Sequence, residues 1–326
     1  MKYRAWSLMV VLVTLVVLAL VTKVLAADLP GKIAFVRDGN VWLAKPDGSE
    51  LEQLTKAGNN SKPCFSPDGK KVAYLNESLD MEKISDAIWE MDLATRKARK
   101  VISGGMIMTC CYTAPNRIAY LEPGHGIIWD AVLKEVDASG KSKIIAKNII
   151  FSQRLQYDIG RKIFYYGACD EQHELICCYL LSIKNSRCVS DEKTFLMDYG
   201  GGHHIERIVS DSSPCISADG RTLYFVNHYK PNLGDDVITR LMSMDTKGNS
   251  RRVIYQDKSY QGTGEEEGVV VTEKGPYGEL DNPAVSPDGK WLIYEERFRL
   301  WLVSTDGKSK PRQILKKAYQ PAWLPN

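Results

Sequence analysis

One short pattern governs this chain: Pro-x-x-Ser-x-Asp-Gly followed by a basic residue occurs from Pro63 to Lys70, from Pro214 to Arg221 and from Pro283 to Lys290. Each copy is followed by an apolar run: Val72 to Leu75, Leu223 to Val226 and Leu292 to Tyr294. In such a pattern Pro presets φ, Asp bonds its own backbone and Gly accepts positive φ, so each copy reads as a tight turn between two strands. A repeated hairpin cannot bury both of its own faces. The copies must therefore stack against one another.

Weaker copies fill the gaps. Anchoring each unit on its second strand puts the repeat at Ile33, Val72, Ile118, Ile163, Leu223 and Leu292, which makes six units. In the fourth unit this anchor places Arg154 where the repeat has Pro and Gln156 where it has an aromatic residue. Third strands follow, several with Trp, as in Val41-Trp42-Leu43, Ile88-Trp89-Glu90-Met91 and Leu300-Trp301-Leu302-Val303. Fourth strands such as Lys100-Val101-Ile102 and Gln313-Ile314-Leu315 complete each unit. Four short strands in about 40 to 50 residues is the arithmetic of a propeller blade. The first unit lacks its opening strand, and Gln320 to Asn326 matches Lys62 to Asp68 in pattern. The expected fold is thus all-β: a six-bladed β-propeller over residues 27–326, closed by a C-terminal strand that completes the first blade.

These repeats resemble the TolB-like β-propeller family, whose unit reads Pro-x-aromatic-Ser-Pro-Asp-Gly-Lys before an Ile-Ala-Phe-type strand. The resemblance covers the propeller part, with no counterpart expected here for the N-terminal α/β domain of TolB. It implies a periplasmic or extracellular platform that makes protein–protein contacts through its axial face. It also implies that the Ser-Pro-Asp-Gly residues are structural. Some polysaccharide lyases resemble this propeller too and use a His-bound metal, which supplies an enzymatic alternative.

Residues 1–26 read as a signal peptide: Lys2 and Arg4, an apolar run from Leu8 to Val21, and the small-residue ending Val24-Leu25-Ala26. The run falls short of the roughly 20 residues of a comfortable membrane span, so membrane association is expected only if the segment stays uncleaved. Localisation is accordingly periplasmic or secreted. The chain has 43 Lys+Arg against 40 Asp+Glu, and three of those cations, Lys2, Arg4 and Lys23, lie in the leader, so the remainder is formally neutral. Neutrality argues against a nucleic-acid footprint and for proteins or neutral molecules as partners, and the family resemblance implies protein partners of the cell envelope.

An exported chain with Cys 8 permits disulfides. Cys64, Cys215 and one of Cys110 and Cys111 share a repeat position with Ala284 and Ala322, which reads as a small buried free thiol. Cys169, Cys177, Cys178 and Cys188 crowd into unit four, and a disulfide from Cys169 to Cys177 or Cys178 is expected. No Cys-x-x-Cys is present, so no metal is assigned.

No motif for a serine nucleophile, a phosphate loop or a zinc protease is complete, and neither catalytic residues nor a cofactor are assigned. His203, His204 and Glu206, after Gly200-Gly201-Gly202, form a conceivable metal or acid–base group, with His228 on the following hairpin. The tri-glutamate Glu265 to Glu267 sits in an insertion that reads as a binding loop or solvated surface. Register places Arg154, Asp211, Asp281, Tyr319 and Gln320 around one channel mouth, with polar Arg154 and Gln156 where packing residues normally sit. The binding candidates are therefore Arg154, Gln156, His203, His204, Glu206, Asp211, Asp281 and Tyr319. The function expected is a binding or assembly scaffold. The alternative is a carbohydrate-active lyase or hydrolase with a metal/His site at the channel mouth.

Overall fold

The structure, a computed structural model, describes residues 29–56, 58–80, 82–124, 130–150, 154–172, 175–183, 187–188, 208–230, 238–256 and 280–325. The expected signal peptide, the His203, His204 and Glu206 group and the tri-glutamate loop lie outside them.

The fold is an all-β propeller whose described strands form six four-stranded antiparallel sheets. Sheet one contains β1 (Ile33–Arg37), β2 (Asn40–Ala44) and β3 (Glu52–Gln53). Sheet two contains β4 (Asn60–Phe65), β5 (Lys71–Asn76), β6 (Ala87–Asp92) and β7 (Ala98–Ser103). In sheet three lie β8 (Thr109–Ala114), β9 (Arg117–Pro123), β10 (Asp130–Asp137) and β11 (Ser142–Ile150). Sheet four is built from β12 (Leu155–Asp158), β13 (Ile163–Gln172), β14 (Leu175–Ile183) and β15 (Arg187–Cys188). Sheet five follows with β16 (Ile208–Ile216), β17 (Thr222–Lys230), β18 (Ile238–Asp245) and β19 (Arg252–Gln256). Sheet six has β20 (Leu280–Val285), β21 (Trp291–Glu296), β22 (Arg299–Ser304) and β23 (Arg312–Lys316). The last strand, β24 (Tyr319–Trp323), joins sheet one, with Trp323 opposite Ile33 and Ala322 opposite Ala34. It also packs against β4 and β20, the first strands of sheets two and six.

The core lies between sheets, as faces that one sheet cannot bury alone require. Ala34, Leu43, Phe65, Val72, Tyr74 and Ala322 fill the seam between sheets one and two. Ala73, Ile88, Cys110, Ile118 and Tyr120 fill the next. Each large apolar side chain so enclosed contributes about 1.5 to 3 kcal/mol. Glu90, 4% exposed, is held in that second seam by Arg99 at 2.7 Å and by the Tyr112 hydroxyl, from sheet three, at 3.0 Å.

The repeat motif earns its residues in the turn. Ser66 Oγ donates to Asp68 Oδ1 at 2.6 Å and accepts from Lys71 N at 2.9 Å, and Gly69 takes φ 67°. Ser217 with Asp219, and Ser286 with Asp288, repeat the arrangement, again with 2.6 Å hydroxyl–carboxylate bonds. The Ser hydroxyl bond is the largest influence holding the Asp68 and Asp219 carboxyls below their ordinary range.

Unit four corrects the expected register. Tyr157 pairs with Phe164 as Phe65 pairs with Val72, one residue later than an anchor at Ile163 implies. Arg154 therefore corresponds to Lys62, Leu155 to Pro63, Gln156 to Cys64 and Tyr157 to Phe65. The aromatic is retained, and Pro is replaced by Leu. The offset arises because Asp158 takes the place of the turn Ser, accepting from Arg161 N at 3.0 Å, while Lys162 at φ 58° supplies the left-handed residue.

Candidate functional site

Two cavities lie among the first strands of the sheets. The narrower, about 250 Å³, is lined by one equivalent residue from each sheet: Lys62, Thr109, Arg154, Ser213, Asn282 and Gln320. The wider, about 680 Å³, is lined two residues further along by Cys64, Cys111, Gln156, Cys215, Ala284 and Ala322. Arg154 borders both.

The backbone that presents the first ring is strained. Lys62, Ser213, Asn282 and Gln320 have φ of 50°, 48°, 49° and 51°, and each directly precedes a proline. Pairing is interrupted by a bulge at each of these places, between Ser61 and Cys64, Ser212 and Cys215, Asp281 and Ala284, and opposite Ala34 to Val36. A left-handed residue other than glycine costs on the order of 1 to 3 kcal/mol, so four-fold recurrence means that the surrounding sheets enforce it. Bulges re-aim side chains. Here the re-aimed positions are those that line the narrow cavity.

Hydrogen bonds tie this ring across the sheets. Asn282 Nδ2 donates to Asp281 Oδ2 at 3.1 Å and to Glu295 Oε2 at 3.0 Å, and Glu295 Oε2 also accepts from Gln320 N at 3.0 Å. Gln320 Oε1 accepts from Lys62 N at 2.8 Å, and Lys62 Nζ donates to the Met108 carbonyl at 2.6 Å. Ser213 Oγ donates to Asp281 Oδ1. Arg154 reaches from sheet four to the carbonyls of Pro283 at 2.9 Å and Pro321 at 3.0 Å. Burial pushes the Glu295 carboxyl up, with Asp281 adding to the rise and Arg154 opposing it.

Of the sequence candidates, Arg154, Gln156 and Asp281 converge on the cavities. Asp211 is instead 2% exposed and bonded to Arg251 at 2.7 Å and Asn227 at 2.9 Å. Tyr319 stands edge-on to Phe298, ring centroids 6.0 Å apart. His228 Nε2 lies 3.4 Å from Ser212 Oγ; burial lowers its pKa, while Asp281 and Asp211 oppose the shift. Sequence reasoning missed Lys62, Thr109, Ser213 and Asn282. Their signal was their place, immediately before the repeat's Pro or its substitute.

The cysteines divide. Cys64, Cys110, Cys111 and Cys215 are free thiols. Cys111 pairs with Ala119 as Cys64 pairs with Ala73, which identifies it as the repeat cysteine. A hydrogen bond from Cys110, then burial, push the Cys64 thiol up; burial alone does most of this for Cys111 and Cys215. In sheet four Cys169 stands opposite Cys178, Cys177 opposite Asp170 and Cys188 opposite Leu181 in backbone register. The side chains of these four lie outside the described residues. Among the described residues no group of three or more His, Cys, Asp or Glu is placed to hold a metal ion.

No family model and no curated protein matches the sequence. Solved structures are similar: TolB from Acinetobacter baumannii has a TM-score of 0.65 at 18% identity, covering 92% of this chain and 68% of that one. A protein assigned as a TolB from Agrobacterium tumefaciens gives 0.52 at 15% identity, over 90% of this chain and 98% of that one. The tricorn protease gives 0.50 at 11% identity, over 89% of this chain and 33% of that one. At these identities the likeness is one of fold, and the fold is a β-propeller.

Proposed function

We propose that this chain is an exported β-propeller that acts as a protein-binding or assembly scaffold of the cell envelope, engaging its partner at the mouth of the narrow cavity. In this reading the six sheets are six blades of a ring that β24 closes beside β1. The observation that carries the binding role is the strained ring of Lys62, Ser213, Asn282 and Gln320, because strain repeated at one cavity favours a presented surface over simple packing. The likeness to TolB structures supports the choice of a scaffold. Pull-down from envelope fractions with the intact chain, compared with a Lys62→Glu, Asn282→Lys variant, tests it. A partner retained by the former and lost by the latter is expected; equal capture by both removes the narrow cavity from the interface.

Export is tested by fusing residues 1–26 to a reporter that folds only outside the cytoplasm, with activity expected. Truncation after Lys317 tests closure, since loss of β24 should leave sheet one with an open edge and abolish cooperative unfolding. A Cys169–Cys178 disulfide is part of this reading, and peptide mapping without reduction should return the linked pair.

One observation favours an enzymatic reading. His228 beside Ser212, its pKa lowered by burial against the opposing pull of Asp281 and Asp211, has the elements of an acid–base group. Hydrolysis or elimination of polysaccharides by the purified chain, lost in His228→Ala, would favour that alternative over the scaffold.

A further inference from the structure

The wider cavity is lined by two cations, Arg154 and Arg161, and two carboxylates, Asp158 and Asp219, and the contacts among them leave Arg154 apart. Arg161 is matched by Asp158 at 2.9 Å. Asp219 is occupied by the Ser217 hydroxyl and Arg221 N. Among the described residues Arg154 bonds only to two neutral carbonyls, those of Pro283 and Pro321, and no carboxylate lies within ion-pair distance of it. A guanidinium carries five N–H donors, so about three remain after those two bonds. Its positive charge is held half-buried on the wall of a cavity of about 680 Å³, within the range of roughly 300 to 1,000 Å³ typical of small-molecule sites.

Holding a cation out of water without a counter-charge is unfavourable unless something supplies one. Arg154 acts on the Glu295 carboxyl, but burial favours the neutral form of that group. The remaining lining is uncharged and includes Gln156, the small residues Ala284 and Ala322, and Tyr157 and Trp323. Asp158 and Asp219 flank this space, so a multiply charged anion such as phosphate would be repelled where a single negative charge would not. Guanidinium N–H groups fit a carboxylate in geometry as well as charge.

We infer that the wider cavity is a binding site for a small carboxylate-bearing ligand, with Arg154 as the group that recognises its carboxylate and Tyr157 and Trp323 as the walls against its apolar part. This site shares Arg154 with the narrow cavity, but the protein-binding role proposed there is tested at Lys62 and Asn282, so either can fail without the other. The carboxylate could belong to a peptide C-terminus or to an acidic sugar, which share the same recognition chemistry.

The test titrates the full chain with benzoate and with the isosteric, uncharged benzamide, followed calorimetrically. Benzoate is expected to bind at least about tenfold more tightly than benzamide, and Arg154→Met and Arg154→Lys to weaken it by at least about tenfold in proteins with native circular dichroism. Equal binding of the two probes, no binding of either at about 5 mM, or unchanged benzoate binding in both variants overturns the site. Should the variants fail to fold, modification of the wild-type chain by phenylglyoxal, mapped by mass spectrometry, decides. Benzoate must protect Arg154 where benzamide does not, and equal modification overturns the site. A tripeptide with a free rather than amidated C-terminus, and a diuronate rather than its neutral reduced form, then identify the source. Selective binding of either acid supports the site, and binding of neither acid overturns it.

Discussion

Sheets two and four are built on the same plan and use it in opposite ways. In sheet two the repeat is intact. Pro63 and Phe65 pack, Ser66, Asp68 and Gly69 close the turn on themselves, and Lys62 bonds to neighbouring sheets on either side. In sheet four the turn has lost its Ser-Pro-Asp-Gly, and the replacement is not self-contained. Asp158, 6% exposed, binds Arg161, whose guanidinium then donates to the carbonyl of Gly220 in the turn of sheet five. At the other end of the strand Arg154 reaches the carbonyls of sheets six and one rather than an adjacent sheet. The lesson is that a unit which gives up the local turn must find its stability in its neighbours. In doing so it places Arg154, with no carboxylate within ion-pair distance among the described residues, between the two cavities.

The comparison is broken most severely at Asp158. Asp158→Ala removes the charge-assisted bonds of a buried carboxylate and should cost about 3 kcal/mol in urea unfolding, against about 1 kcal/mol for Asp68→Ala, whose bonds are local and exposed. Equal losses would mean that the sheet-four turn is no more dependent on its neighbours than the intact one. Gly220→Ala comes next, at about 2 kcal/mol, because its Cβ would meet both the Arg161 guanidinium and the Asp158 carboxylate. Gly289 has the same left-handed backbone with nothing in the way, so Gly289→Ala should cost only about 1 kcal/mol.

Arg154→Met, losing two bonds from a charged donor, should destabilise by about 1 to 2 kcal/mol, and Lys62→Met by less than about 1 kcal/mol because its amine is partly solvated. The smallest effect is in pH dependence. Glu295 is raised in the folded state, so its contribution is present at low pH and is lost as pH rises through its folded value. Arg154 opposes that rise. Unfolding free energies between about pH 4 and 7 should therefore fall more steeply in Arg154→Met than in the parent, and the fall should flatten in Glu295→Gln. Parallel curves for parent and Arg154→Met would show that the guanidinium does not act on that carboxyl.

Much of the fold was legible because its rules are local. Ser66, Asp68 and Gly69 form the same bonds as Ser217, Asp219 and Gly220, so three copies sufficed to reveal hairpins, and the match of Gln320 to Asn326 with Lys62 to Asp68 anticipated the pairing of Trp323 with Ile33. Unit four was misread by one residue because Asp158 and Lys162 perform the turn's work with different side chains, and anchoring on apolar residues cannot distinguish Ile163 from Phe164. Arg154 and Gln156 were singled out on that misplaced register, as polar residues where packing was expected, and Asp281 by its place on the approach to a first strand. Lys62, Asn282 and Ser213 were missed because their importance lies in a left-handed backbone before Pro, which no residue type announces. Asp211 and Tyr319 share that end of their strands, yet Arg251 and Phe298 engage them.

By itself the sequence determined the repeated turns and the strands that flank them, since each depends on contacts within a few residues of the chain. Only the tertiary structure decided which side chains share a cavity, that Arg154 spans to Pro283 and Pro321, and that no carboxylate is set beside it among the described residues. Those contacts join positions more than a hundred residues apart, and their energy depends on distance through space, which spacing along the chain does not encode.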